Sequence, residues 1–246
     1  MDERQIREDE GMTLVEHLEE LRKRVVRIIV VSILAIGVSF VFASDLLAYI
    51  VEPVDSLVIL TPGEGFFATL RLAIMMGLAL ASPFIIYQLV AFILPALTKQ
   101  ERKYLYVLLP FGYILFWAGV LFAYFVIVPY VYRFFIGFTY EGLMEPYISV
   151  SSYLGFVLGV IIPFGIIFEL PILVSLLTII GLVTPDILKK YRKYAILLVF
   201  VVAAFFTPPD PISQGLMAGP LILLYEFSIS ISKIVYKRRL RREDFE

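Results

Sequence analysis

The chain has 246 residues, of which 60% are hydrophobic and only 17% charged, with a formal net charge of −1. Its mean hydropathy is +0.90, well above a soluble domain, which is closer to half apolar. Too few charges remain to coat a globule of this size, so the expected solvent is a membrane. Cys is absent and His17 is the single His, which excludes disulfides and thiolate sites and argues against a His-rich metal cluster or a Ser-His-Asp triad. No cofactor, no metal and no enzymatic centre is expected.

The first residues are polar and acidic, with neither a secretory nor a transit pattern. TLVEHLEELRKR (13–24) carries the spacing of a capping box at Thr13 and Glu16. Leu14, Leu18, Leu21 and Val25 form one apolar helical stripe. Acids precede bases, which suits the helix dipole, and Glu19–Lys23 and Glu20–Arg24 are i,i+4 pairs. Two readings stand: an interfacial amphipathic helix leading into the membrane, or one wall of a peptide groove. Six spans follow: Val25–Ala43, Leu72–Leu94, Val107–Val128, Tyr153–Leu182, Tyr194–Phe206 and Leu216–Val235. The chain therefore reads as one membrane domain over 1–246. Its parts are a cytoplasmic N-terminal segment (1–24), the spans (25–235) and a cytoplasmic tail (236–246).

Of the 21 Lys and Arg, all but Arg71 and Arg133 fall on one side of this arrangement. The first loop on the other side, 44–65, holds Asp45, Glu52, Asp55 and Glu64 and no base. The positive-inside rule then puts both termini in the cytoplasm, and an even number of spans independently puts them on the same side. The basic tail KRRLRR (237–242) suits an anchor beside anionic lipid.

The loop AFILPALTKQERKYL (91–105) sets Glu101 among Lys99, Arg102 and Lys103, where an ordinary solvated acid is the plain alternative. Pro83, Pro110, Pro163 and Pro171 lie inside spans, where each removes a backbone donor and can kink its helix. The fifth span offers about thirteen apolar residues, roughly 20 Å at 1.5 Å per residue, against a hydrocarbon layer of roughly 30 Å. TPPDPISQG (207–215) then turns the chain. These features predict either a short last hairpin beside a recess, with local bilayer thinning, or a normal hairpin with an interfacial loop. Glu169 stands alone in PFGIIFELPILV (163–174), about midway along the fourth span. A charge at that depth costs about 2.5–3.5 kcal/mol. It must face protein, face water or be neutral. It either bonds neighbouring backbone or lines the recess.

HLEELRKR (17–24), SPFIIYQLVAFILPAL (82–97), ER (101–102), FAYFVIVP (122–129), FELP (168–171) and TPPDPISQ (207–214) resemble, in this order, the motifs of the TatC family. That family is the multispanning core subunit of the twin-arginine protein translocase. The resemblance covers about residues 12–236. It implies an all-α integral membrane protein of six transmembrane helices, a cupped concave bundle with short last two helices. It implies a receptor for twin-arginine signal peptides of folded cargo in the cytoplasmic (inner) membrane. The machinery is an oligomeric complex with single-span TatA/TatB-type subunits, driven by the proton-motive force. The acids matching the receptor site are Glu20 and Glu101, with Arg22 and Phe92 on motif positions nearby. Glu169 and Gln88 match intramembrane polar positions where partner helices dock. Pro53, Asp210 and Gln214 match outer-face motifs. A proton-coupled secondary transporter or channel using Glu169 is the rival reading, weakened by the lack of a second midplane acid and of a repeat. Nothing resembles a phosphate loop, a zinc site or a nucleic-acid stripe, so lipid and protein are the expected partners and nucleic acid is not.

Overall fold

A computed structural model describes residues 14–52, 54, 57–93, 99–137, 147–206 and 211–243. Its order is α1 (Leu14–Val51), β1 (Leu57–Val58), α2 (Glu64–Ile93), α3 (Lys99–Phe122), a π-helical turn (Ala123–Ile127), α4 (Val128–Ile136), β2 (Ile148–Ser149), α5 (Val150–Ile167), α6 (Leu170–Ile180), α7 (Pro185–Phe206) and α8 (Pro211–Glu243). These make six helical passes. Among the described residues five segments are long and apolar enough to cross a membrane: Val15–Val51, Glu64–Phe92, Leu108–Ile136, Val150–Ile180 and Pro211–Lys237. The remaining pass, α7, is diluted by Lys189, Lys190, Arg192 and Lys193, so its apolar part begins only at Tyr194.

The first helix is one continuous rod. At 38 residues it is roughly 57 Å long, so the HLEELRKR segment extends the first span without a break. It packs chiefly on α2. His17, Glu20, Arg24, Ile28, Ser32, Ile36, Ser39, Ala43 and Ile50 lie on its covered side, and most other positions are exposed. The α2 side of the seam is small: Ala73, Gly77 and Ala81. A Cβ built on Gly77 would sit 2.5 Å from Ile36 Cα, an overlap no side chain tolerates. Helices in lipid gain no hydrophobic drive from meeting each other, so close backbone approach through small residues is what holds them together.

Prolines interrupt less than the sequence suggests. Helices α2, α3, α5 and α8 continue through Pro83, Pro110, Pro163 and Pro220. The third pass instead changes pitch at the π turn, two residues before Pro129. There Val128 N–H reaches back to the Ala123 carbonyl. The fourth pass breaks at Phe168–Glu169, where Pro171 occupies the first turn of α6 and has no N–H to continue the ladder.

The helix ends away from the basic end are tied by polar bonds. Two-residue strands β1 and β2 pair in parallel, Leu57 with Ile148 and Val58 with Ser149. Tyr153 and Tyr124 hydroxyls donate to the Ile50 and Tyr49 carbonyls at 3.2 and 3.5 Å, partnering the last turn of α1 that a helix leaves open. Glu64 is buried. Its carboxylate accepts the Leu60 N–H at 2.7 Å, the Thr61 N–H at 3.4 Å and, from the start of α5, the Ser151 N–H at 2.9 Å. One side chain thus caps two helices. The main core lies around Leu154, Val157, Val160 and Phe164 of α5. A smaller cluster of Val90, Leu176 and Ile179 joins α2 to α6 nearer the basic end.

Two outcomes follow. Gly77→Ala should destabilise the chain by about 1–3 kcal/mol through overpacking. Gly37→Ala, whose new methyl meets nothing within 4 Å, should leave the melting temperature in detergent within a degree or so of the parent's. Equal melting of the two variants would contradict the seam. Glu64→Gln offers one accepting oxygen where two are used, so the Ser151 amide should exchange hydrogen markedly faster in that variant; unchanged protection would show that the clasp contributes nothing.

Candidate functional site

At the end of the molecule where most bases lie, the α1–α2 seam changes from small to polar. Glu20 and Arg24 are one turn apart on α1, and Arg24 Nη2 lies 2.6 Å from Glu20 Oε1. Arg24 Nη1 donates to Gln88 Oε1 of α2 at 3.2 Å. One turn further along α2, the Phe92 ring stacks on His17, centroids 4.2 Å apart. The Arg24 and Glu20 side chains are only 15% and 25% exposed, whereas the neighbouring Lys23–Glu19 pair is 52% and 54% exposed. Lower local polarity strengthens the inner pair, and the outer one is an ordinary solvated pair.

This arrangement settles which stripe of the segment is covered. Leu18, Leu21 and Val25 are exposed; the polar stripe, not the apolar one, packs on protein. Periodicity reveals a stripe but not its solvent, and beside a bilayer the apolar stripe is free to face lipid. Arg22 points away from the seam and is exposed. Glu101 lies in the first turn of α3, with its side chain outside the described residues, as are Pro53 and Asp210. From Ile93 to Lys99 there are six Cα steps, at most about 23 Å, so the start of α3 stays near the Phe92 end of α2.

Gln88 and Glu169, grouped in the sequence reading, are placed apart. Gln88 is 4% exposed and committed to Arg24. Glu169 lines a cleft of about 740 Å³ between α1, α2, α3 and α5, whose wall is almost entirely apolar. The Phe168–Glu169 break presents this carboxylate to α3, where a methyl on Gly112 would lie 3.1 Å from Glu169 Oε2. Three buried polar atoms on residues of the cleft have no hydrogen-bond partner: Glu169 Oε1, Ser82 Oγ and Trp117 Nε1. Glu169 is the cleft's one acidic residue. Gln214, near the start of α8, donates to the Phe200 carbonyl of α7 at 3.0 Å and so braces the last hairpin. Among the described residues no group of three or more His, Asp or Glu could hold a metal ion.

Sequence reasoning overlooked Glu64, His17 as an aromatic partner, and the Ser82 and Trp117 polar atoms. Only Glu64 had a local signal. Thr61-Pro-Gly-Glu64 carries the capping-box spacing, although its bond to Ser151, 87 residues on, has none.

The profile described as "Sec-independent protein translocase protein (TatC)" matches residues 16–220. The Sec-independent protein translocase protein TatC of Carboxydothermus hydrogenoformans is 40% identical over 245 residues, covering 96% of this chain and 99% of that one. The Aquifex aeolicus protein of the same name is 38% identical over 235 residues, covering 93% and 98%. A solved structure described as "Crystal Structure of Twin Arginine Translocase Receptor- TatC" superposes with a TM-score of 0.79 at 39% identity, over 89% of this chain and 99% of that one. Matched along nearly its whole length in sequence and in fold, this chain belongs to the TatC family of Sec-independent protein translocase proteins.

Proposed function

We propose that this multi-pass membrane protein is the signal-peptide receptor and core subunit of a twin-arginine translocase, which exports folded proteins. It would sit in the cytoplasmic membrane with both termini in the cytoplasm, because nearly all bases lie at one end. The observation that carries the reading is the position of Glu20. It is a partly shielded carboxylate held on a rigid helix at the basic end, in a chain alike over almost its full length to a twin-arginine translocase receptor.

The chemistry is recognition, not catalysis. A guanidinium presents parallel N–H donors that fit a carboxylate's two oxygens, and an ammonium is a point charge without that fork. Glu20 and Glu101 on adjoining helix ends would each engage one of two consecutive arginines, with Phe92 beside them and Arg22 at the rim. Single-span TatA/TatB-type subunits would dock along the apolar cleft. A polar side chain from such a helix would meet Glu169, Ser82 and Trp117 there. A transporter would need a relay of ionisable groups across the membrane, and the cleft offers one acid. The driving force would be the transmembrane proton gradient.

Binding of a labelled twin-arginine peptide to the chain in lipid nanodiscs tests the receptor. Charged hydrogen bonds are worth roughly 1.5–3 kcal/mol, so Glu20→Gln and Glu101→Gln should each weaken binding about 10-fold or more, and a twin-lysine peptide should bind correspondingly poorly. Equal affinity of parent and both variants would remove the proposal. For the cleft, Glu169→Leu should cut co-purification of a single-span subunit several-fold without lowering the melting temperature, because one of its oxygens already lacks a partner. Undiminished co-purification would place the subunit elsewhere.

A further inference from the structure

The carboxylate assigned to a signal arginine already holds a guanidinium. Arg24 lies 2.6 Å from Glu20 and is held from behind by Gln88 on the next helix at 3.2 Å. Gln88 is itself buried at 4% exposure. This is more than a helical i,i+4 pair of the kind that Glu19 and Lys23 make in solvent on the same helix. Arg24 is nevertheless imperfectly seated, because its buried Nε has no hydrogen-bond partner. A donor left without an acceptor in such a place carries a desolvation cost, so the seat is firm but not fully satisfied. Glu20 keeps a quarter of its side chain open, which leaves an approach for an external ligand.

We propose that Arg24 is an internal placeholder for the signal arginine, and that binding proceeds by exchange of guanidinium groups on Glu20 while Arg24 falls back on Gln88. This rests on the receptor reading of Glu20 and deepens it. The exchange costs little net charge rearrangement when the newcomer is also a guanidinium, since one forked cation replaces another on the same carboxylate. A lysine, a monovalent cation or a polyamine must break the Arg24 contact and return only a point charge. Arg24 therefore raises the threshold for every cation by the same factor. A like-for-like exchange with a signal arginine stays near balance, and a point charge falls below it. Gln88 is the positioning residue that keeps the placeholder at hand.

The test measures dissociation constants of twin-arginine and twin-lysine peptides on the full chain in nanodiscs, with folding checked by thermal melting. Arg24→Gln should tighten twin-arginine and twin-lysine binding by the same factor, about 5-fold or more, because both peptides are spared the opening of the same contact. Arg24→Lys, which keeps the charge but loses the fork, should tighten both by less, and Gln88→Leu, which removes the acceptor Arg24 falls back on, should weaken both. Unchanged or weaker binding of both peptides to Arg24→Gln would overturn the proposal and make Arg24 an organiser of Glu20. Glu20→Gln separates the two layers. If it abolishes twin-arginine binding while Arg24→Gln leaves affinity unchanged, the receptor reading survives and the placeholder fails. If it leaves twin-arginine binding intact, both fall.

Discussion

Everything at the basic end depends on how closely α1 and α2 can approach. The backbone of α1 lies where a side chain on Gly77 would have to be, and that contact sets the rotation of α1 about its own axis. Gln88 lies eleven residues, about three turns, along the same face of α2, and Phe92 one turn beyond. Fixing the seam at Gly77 therefore brings Arg24 and Glu20 to Gln88, and His17 to Phe92. A small rotation of a rod roughly 57 Å long would move these side chains off their partners. The placement of Glu20, Arg24 and Gln88 is thus set by packing deep in the apolar region.

The same seam shows how a membrane protein distributes polarity. Along α1 the covered side carries Ala43, Ser39 and Ser32 within the apolar stretch and Arg24, Glu20 and His17 beyond it, while most of the exposed positions in the apolar stretch are aliphatic. Lipid takes the apolar side, and protein takes the polar groups that lipid cannot solvate. Glu169 follows this rule at greater depth. A break before Pro171 turns it inward to the cleft wall, where it stands with Ser82 and Trp117 as polar atoms without partners in the isolated chain. Such atoms in a cleft open to other helices are groups for which an assembled complex can supply partners. At the far end, Glu64 ties the start of α2 to the start of α5, and the hydroxyls of Tyr124 and Tyr153 tie the third and fourth passes to the last turn of α1, so the helices around the cleft are braced there.

Much of this was legible in the residues. Long apolar runs separated by basic or acidic clusters yielded six passes, with helices extending beyond the apolar stretches at several ends because charged residues continue a helix into the headgroups. Glu169 was conspicuous because nothing near it in the chain explains an acid, and Glu20–Arg24 because the spacing is helical. What stayed hidden depended on contacts between distant segments. Nothing in the sequence around Gln88 names Arg24, 64 residues earlier, and nothing around Ser151 names Glu64. The stripe of Leu18, Leu21 and Val25 was visible, but which solvent it faces is decided by the seam on the opposite side. Of the prolines conspicuous in the sequence, Pro171 marks a break of the fourth pass, whereas helix continues through Pro83, Pro110 and Pro163, and a change of pitch falls beside Pro129.

A structure of this chain in a nanodisc with a bound twin-arginine peptide tests the central claim most directly. The account predicts a peptide guanidinium on the Glu20 carboxylate, with Arg24 withdrawn from it and still bonded to Gln88. A bound peptide beside an intact Glu20–Arg24 contact of 2.6 Å would contradict it.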